Sequence, residues 1–103
     1  MTNIFQNITI NKKEEEFIDL LKDKNIRIER IVSNGQVSKE DFWYDQEENE
    51  YIIVLEGSAI VEFKDKQVSL SKGDTLLIQK NEKHRVKYTD IEEPTIWLAI
   101  FYI

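Results

Sequence analysis

The sequence contains no cysteine, one histidine, one proline and three glycines among its 103 residues. Without cysteine, the chain can form no disulfide or zinc–thiolate site and cannot use a thiol nucleophile. A catalytic triad would have to use His84, and the G-x-S-x-G motif that would support it is missing. P-loop and Rossmann fingerprints are missing as well. These absences exclude several large enzyme classes and direct attention to carboxylates and His84.

Clusters of basic residues and long apolar runs are also missing. The chain has 20 acidic and 14 basic residues and a net charge of −6, so we expect no nucleic-acid or anionic-membrane partner. Its longest apolar run, "IWLAIFYI", is too short to cross a bilayer. The first residues, "MTNIFQNITI", lack the apolar core of a signal peptide. We therefore expect a cytoplasmic protein with one folded domain over residues 1–103.

One segment near the N-terminus has helical periodicity. Asn11 and Glu14 have the spacing of a capping box. Four apolar residues then form one stripe at helical spacing; they are Phe17, Ile18, Leu20 and Leu21. This pattern predicts a short α-helix over residues 12–23.

From residue 26 onward, short apolar strands alternate with turn signals. Strands are predicted at Ile26–Ser33, Tyr51–Leu55, Ser58–Phe63, Gln67–Leu70, Thr75–Ile78, Arg85–Tyr88 and Thr95–Tyr102, with a less regular one at Asp41–Asp45. This spacing indicates an all-β fold, an antiparallel sandwich or barrel. The last strand is apolar on both faces, so its outer face should pack on the N-terminal helix or on a second subunit of a homodimer.

Two spacings carry a resemblance to a known family. Glu50 precedes Gly57 by seven positions, and Gly73 is followed by Gln79, Asn81, His84 and Tyr88. With the strand count, these spacings resemble the two motifs of the cupin family. More narrowly, "WYDQ", "LEGSAIVEF", "KGDTLLI" and "HRV" resemble small bacterial cupins of unassigned function. The resemblance implies a jelly-roll β-barrel over about residues 26–103.

The resemblance also implies a divalent metal ion inside the barrel. Cupins hold it with two histidines and a glutamate of the first motif and a histidine of the second. Glu50 and His84 match the glutamate and the second-motif histidine. The two other histidines are replaced by Tyr44 and Gln46 or, at the alternative spacing, by Trp43 and Asp45. Alternation along a strand turns one pair inward, and we favour the first pair because its parity matches that of Glu50.

These substitutions weaken the donor set, so manganese, iron, nickel and zinc are not distinguished. The implied metal ligands are Gln46, Glu50 and His84, with Asp45 if it turns inward. A small polar organic ligand would lie beside Tyr44, Trp43 and Trp97. In an enzyme, Glu50 and His84 would move a proton, and isomerase or lyase chemistry would suit the site better than oxygen activation. The alternative is a ligand-binding or sensing module without a metal.

Overall fold

The computed structural model describes residues 3–103, which form eight β-strands. They are β1 (Glu16–Asp23), β2 (Ile26–Ser33), β3 (Asn49–Glu56), β4 (Ser58–Phe63), β5 (Gln67–Ser71), β6 (Thr75–Ile78), β7 (His84–Thr89) and β8 (Thr95–Tyr102). All strand pairs are antiparallel, and they make a five-stranded sheet of order β1-β2-β8-β3-β6 and a three-stranded sheet of order β5-β4-β7. The predicted all-β antiparallel fold is confirmed.

The core lies between the two sheets, where alternate residues of facing strands meet. Ile52 and Val54 of β3, Val61 and Phe63 of β4, and Trp97 of β8 belong to one buried cluster. Their neighbours in sequence point to the outside, as strand geometry requires. The predicted bounds of four strands (β2, β4, β6 and β8) agree with the structure, and β3, β5 and β7 are one or two residues longer at their ends. The strand predicted at Asp41–Asp45 is wrong, because only Tyr44 there forms a single bridge, to His84.

The predicted helix over residues 12–23 is also wrong, and residues 3–103 contain no helix. Consequently they contain none that could cross a membrane. Glu16–Asp23 instead pairs with β2, and the register shifts between Asp19 and Leu21. This bulge adds one residue to the alternation, so that apolar side chains recur at a spacing that imitates a helix. The side chain of Asn11 accepts a hydrogen bond from the amide of Lys13 at 2.8 Å, as an N-cap would, but residues 12–14 form bends and a strand follows them, so there is no helix to cap.

An irregular N-terminal segment, which includes residues 4–7, covers one end of the outer face of the large sheet. Arg30 of β2 points to this face and is 3% exposed. Its guanidinium donates to the backbone carbonyls of Ile4, Gln6 and Asn7 at 3.1, 2.7 and 3.3 Å, and to Glu16 at 2.8 Å. One buried cation therefore holds this segment against the sheet.

Candidate functional site

A cavity of about 200 Å³ lies inside the barrel, between the two sheets. Four aromatic side chains contribute to its wall: Phe17, Tyr44, Trp97 and Phe101. Its carboxyl and imidazole groups belong to Glu15, Glu29, Glu50 and His84. Polar groups thus converge inside a largely apolar enclosure, which is the usual composition of a small-molecule site.

Glu50 and His84 come together in this cavity although 34 positions separate them in the sequence. Glu50 lies near the start of β3, where strand alternation places it on the inner face with Ile52. His84 is the first residue of β7 in the opposite sheet. Its Nε2 lies 3.7 Å from Oε1 of Glu50, and the amide of Gln46 donates to the same oxygen at 2.9 Å. The three side chains form one polar group on the cavity wall.

The backbone determines which nitrogen of His84 faces the cavity. Nδ1 lies 2.9 Å from the carbonyl oxygen of Glu82. A carbonyl can only accept, so Nδ1 carries the proton in the neutral ring and Nε2 presents its lone pair. The backbone groups of Tyr44 and His84 exchange hydrogen bonds of 2.8 and 3.1 Å, and their rings stack with centroids 5.9 Å apart. These contacts fix the ring so that Nε2 is an available acceptor.

Burial raises the pKa of the Glu50 carboxyl above its usual value. The hydrogen bond from Gln46, the nearby His84 and Arg27 oppose this effect, whereas the negative charge of Glu29 adds to it. A carboxyl of this kind holds its proton to higher pH than one in water. Its pKa is therefore closer to neutral pH, which favours proton exchange with a bound molecule.

Sequence reasoning missed two carboxylates of the cavity, Glu15 and Glu29. Glu29 lies on β2 and is bound by Nε of Arg27 at 2.8 Å. Glu29, Ile31 and Ser33 are alternate residues of β2, and this alternation could have placed Glu29 on the inner face of the sheet. Glu15 was missed because it lay in the predicted helix. It accepts a hydrogen bond from the hydroxyl of Ser33, and Nε1 of Trp97 donates to that hydroxyl at 2.9 Å. Burial raises the pKa of Glu15 as well.

The structure places most of the predicted site residues on the cavity wall, but not all of them. Tyr44, Gln46 and Trp97 line the cavity together with Glu50 and His84. Trp43 does not, so the structure does not bring this predicted ligand contact to the cavity wall. Its ring lies 4.3 Å from Nζ of Lys64 and 5.6 Å from the guanidinium of Arg85. Asp45 is exposed and also outside the lining, because the extended backbone turns it away from its neighbours Tyr44 and Gln46.

The donor set at Glu50 and His84 does not fit a tightly held metal ion. Within residues 3–103, no three side chains of His, Cys, Asp or Glu are grouped closely enough to hold one. One imidazole, one carboxylate and the weakly donating amide of Gln46 are what the cavity offers here. Such a set binds first-row transition ions less strongly than the three histidines and glutamate of the complete motif.

Comparisons with known proteins show one family over most of the chain. The family model described as "Cupin domain" matches residues 30–101. A solved structure from Ralstonia eutropha JMP134, named as a candidate mannose-6-phosphate isomerase, is 38% identical, with a TM-score of 0.95. The match covers 99% of this chain and 96% of that chain. No curated protein matches the chain.

More distant structures are similar in fold alone. A cupin superfamily protein from Desulfitobacterium hafniense DCB-2 is 16% identical, with a TM-score of 0.78, and the match covers 93% of this chain and 84% of that chain. A protein from Thermus thermophilus is 15% identical, with a TM-score of 0.82, and the match covers 99% and 95% of the two chains.

Proposed function

The chain belongs to the cupin family, and we propose that it binds a small polar organic molecule in the cavity of its jelly-roll barrel, through Glu50 and His84. The match of the cupin family model to residues 30–101 confirms the resemblance seen in the sequence. The observation that carries the proposal is the pair itself. A carboxylate and an imidazole face each other at 3.7 Å inside an aromatic cavity, although burying such groups without a strong partner destabilises the fold. Groups retained at this cost are typical of binding and catalytic sites.

Thermal unfolding against a panel of metabolite-sized polar compounds tests this proposal. A ligand at about 100 times its dissociation constant stabilises the folded state by about 2.7 kcal/mol, which raises Tm by several degrees in a domain of this size. We expect Glu50→Gln and His84→Gln to abolish the shift. Glu47→Gln is the matched control, because Glu47 is exposed and outside the cavity lining. A panel without a single stabilising compound would contradict the proposal.

We propose further that this binding does not depend on a metal ion. The proposal is supported by the incomplete donor set around Glu50, His84 and Gln46 and by the outward position of Asp45. Elemental analysis of the untagged protein, beside Glu50→Ala and His84→Ala, tests it. We expect equal metal content in the three proteins and an unchanged Tm in chelator. About one ion per chain in the parent, lost from both variants, would instead establish the metal site that the family resemblance predicts.

A second candidate function is proton-transfer catalysis on the bound molecule, of the isomerase or lyase type. It is favoured by the raised pKa of Glu50 opposite the lone pair on Nε2 of His84, since one group can donate while the other accepts. Proton NMR in D₂O tests it, because enzymatic exchange would place deuterium in a stabilising compound of the panel. Exchange should be lost in Glu50→Gln and His84→Gln.

The name of the Ralstonia relative suggests a phosphorylated sugar, and the charges of this cavity argue against one. No lysine or arginine lies among its lining residues within the described part of the chain, whereas three glutamates do. A phosphate dianion would meet like charge there without a cationic partner. We expect no turnover of mannose 6-phosphate. Turnover that is lost in Glu50→Gln would show that this expectation is wrong.

We also propose that the partner of the protein is a second copy of itself. Residues 12–23 form no helix that could pack on the outer face of β8, and the N-terminal segment covers only one end of that face. Beyond that end, one apolar row crosses all five strands of the large sheet. It comprises Leu21, Ile28, Ile100, Tyr51 and Leu77. A row without charges pairs well with an identical row under two-fold symmetry.

A further inference from the structure

We propose that the cavity selects a cationic ligand, a small organic amine in its protonated form, over neutral and anionic molecules of the same size. This inference rests on the proposed function, because it assigns a charge to the ligand of the same cavity. It goes beyond that function by naming the chemical class that the cavity would reject.

The first observation is the one-sided charge of the wall. Glu15, Glu29 and Glu50 line the cavity, and within residues 3–103 no lysine or arginine does. Only Glu29 has a close lysine or arginine partner, since Nε of Arg27 lies 2.8 Å from its Oε2, whereas Glu50 faces His84 at 3.7 Å. Arg27 also lies over the ring of Phe101, at 4.2 Å from the centroid, and is not itself part of the lining. Two of the three carboxylates thus lack a strong cationic partner.

The partners that Glu15 and Glu50 do have are weak ones for half-buried carboxylates. Glu15 accepts from the hydroxyl of Ser33, and Glu50 accepts from the amide of Gln46. Neither glutamate forms a salt bridge with a lysine or arginine of the described residues, and burial raises the pKa of both, as expected for such carboxyls. A ligand with an ammonium group would supply the missing charge to one or both of them.

The second, independent observation is the open acceptor on His84. This residue is 6% exposed, and its Nε2 faces the cavity at 3.7 Å from Glu50, too far for a hydrogen bond. In the neutral ring with Nδ1 donating to Glu82, Nε2 is an acceptor that an N–H or O–H donor of a ligand would satisfy. An ammonium group has up to three N–H donors and can reach a carboxylate and Nε2 together, whereas a carboxylate or phosphate group has no donor to offer.

The aromatic wall agrees with the same class of ligand. Phe17, Tyr44, Trp97 and Phe101 line the same cavity and can pack against the hydrocarbon part of an amine. Ring faces also attract a cation, most strongly when water is excluded. A cation is therefore favoured by both the polar and the apolar parts of the wall.

Isothermal titration with benzylamine, benzyl alcohol and benzoate tests the inference, because the three probes share a ring and differ in charge. At neutral pH and constant ionic strength, we expect benzylamine to bind about tenfold more tightly than benzyl alcohol and benzoate not to bind. Glu50→Gln should reduce the affinity for benzylamine to that for benzyl alcohol. Glu47→Gln changes the net charge equally outside the cavity and should leave the affinity for benzylamine unchanged.

The contrary outcomes separate this inference from the proposed function. Benzyl alcohol or benzoate binding as tightly as benzylamine, in a manner that depends on His84, would overturn the preference for cations and leave ligand binding in place. An equal loss of benzylamine affinity in Glu47→Gln and Glu50→Gln would overturn it too, because it would indicate attraction by overall charge. No binding by any probe, together with no stabilising compound in the metabolite panel, would overturn both.

Discussion

Glu50 is the residue at which stability and function are expected to oppose each other. Burial raises the pKa of its carboxyl above 4.5 in the folded protein, so the folded state holds a proton that the unfolded chain releases. The free energy of unfolding should therefore fall as pH rises from about 4.5 through the folded pKa, and then level off. In Glu50→Gln the pH-dependent contribution of this carboxyl to the free energy of unfolding disappears. We expect this variant to gain stability relative to the parent as pH rises.

Urea unfolding from about pH 4 to about pH 8 measures this difference. The charged or titratable groups that act on Glu50 are His84, Glu29 and Arg27, and all three remain in the variant. Glu15 has a raised pKa as well, so some decline with pH should remain in Glu50→Gln. Glu47→Gln should follow the parent at every pH. A constant difference between the parent and Glu50→Gln would contradict the prediction.

Gly57, in the turn between β3 and β4, is expected to tolerate no side chain. Its φ is +86°, and an added Cβ would lie 2.6 Å from the Cα of Thr95. Gly73 has a φ of +89°, but an added Cβ there would meet nothing within 4 Å. We expect Gly73→Ala to cost about 1 kcal/mol through backbone strain alone, and Gly57→Ala to cost about 3 kcal/mol or more because it adds a clash with backbone. Denaturant unfolding measures both, and equal costs would contradict this account.

At the scale of elements, Arg30 joins the N-terminal segment to β2. Replacing it with alanine removes a buried cation that bonds three carbonyls and leaves Glu16 without its cationic partner. We expect Arg30→Ala to lower the free energy of unfolding by about 3 to 5 kcal/mol. Lys72→Ala is the control, because Lys72 pairs with Glu56 on the exposed surface, where such pairs contribute about 1 kcal/mol or less.

Removal of residues 1–7 tests whether Arg30 stabilises the fold by holding the N-terminal segment or by stabilising β2 itself. If the arginine acts mainly by holding this segment, the truncation and Arg30→Ala will each destabilise the protein, and their combination will cost much less than the sum. Chemical denaturation of the four proteins measures the coupling. Additive effects would show that Arg30 stabilises β2 independently of the N-terminal segment.

At the scale of the whole molecule, the apolar row on the outer face predicts self-association. Leu21 and Leu77 lie at its two ends and are 49% and 43% exposed, so changing them leaves the interior of the monomer untouched. We expect the parent to sediment as a dimer, and Leu21→Lys or Leu77→Lys to weaken association at least tenfold, because a lysine there would be buried against an apolar partner. Sedimentation equilibrium measures this constant.

Ile91→Lys is the matched control for the association experiment. Ile91 is an equally apolar residue, 73% exposed, in the loop between β7 and β8 and away from the row. Its substitution should leave the dimer intact. A monomeric parent, or equal weakening by Ile91→Lys and Leu77→Lys, would contradict the proposed interface.

Strand positions and family were readable from the sequence because both depend on local order along the chain. Short apolar runs bounded by turn signals mark strands without knowledge of their partners, and β2, β4, β6 and β8 were located in this way. The distance from Glu50 to Gly57, and the later position of His84, carried the resemblance to the cupins. The same alternation turned Tyr44 and Gln46 toward the cavity, where the structure places them.

Tertiary structure alone decided what depends on pairing between distant segments. Residues 16–23 carry a pattern that suits a helix or a bulged strand, and the free edge of β2 selected the strand by supplying hydrogen-bond partners. That choice brought Glu15 to the cavity and, with Glu29, gave the wall its negative charge. The sequence determined the local periodicity and the available chemistry of this protein. The register of the paired strands decided which charges meet inside the barrel, because side chains far apart in sequence become neighbours only when their strands pair.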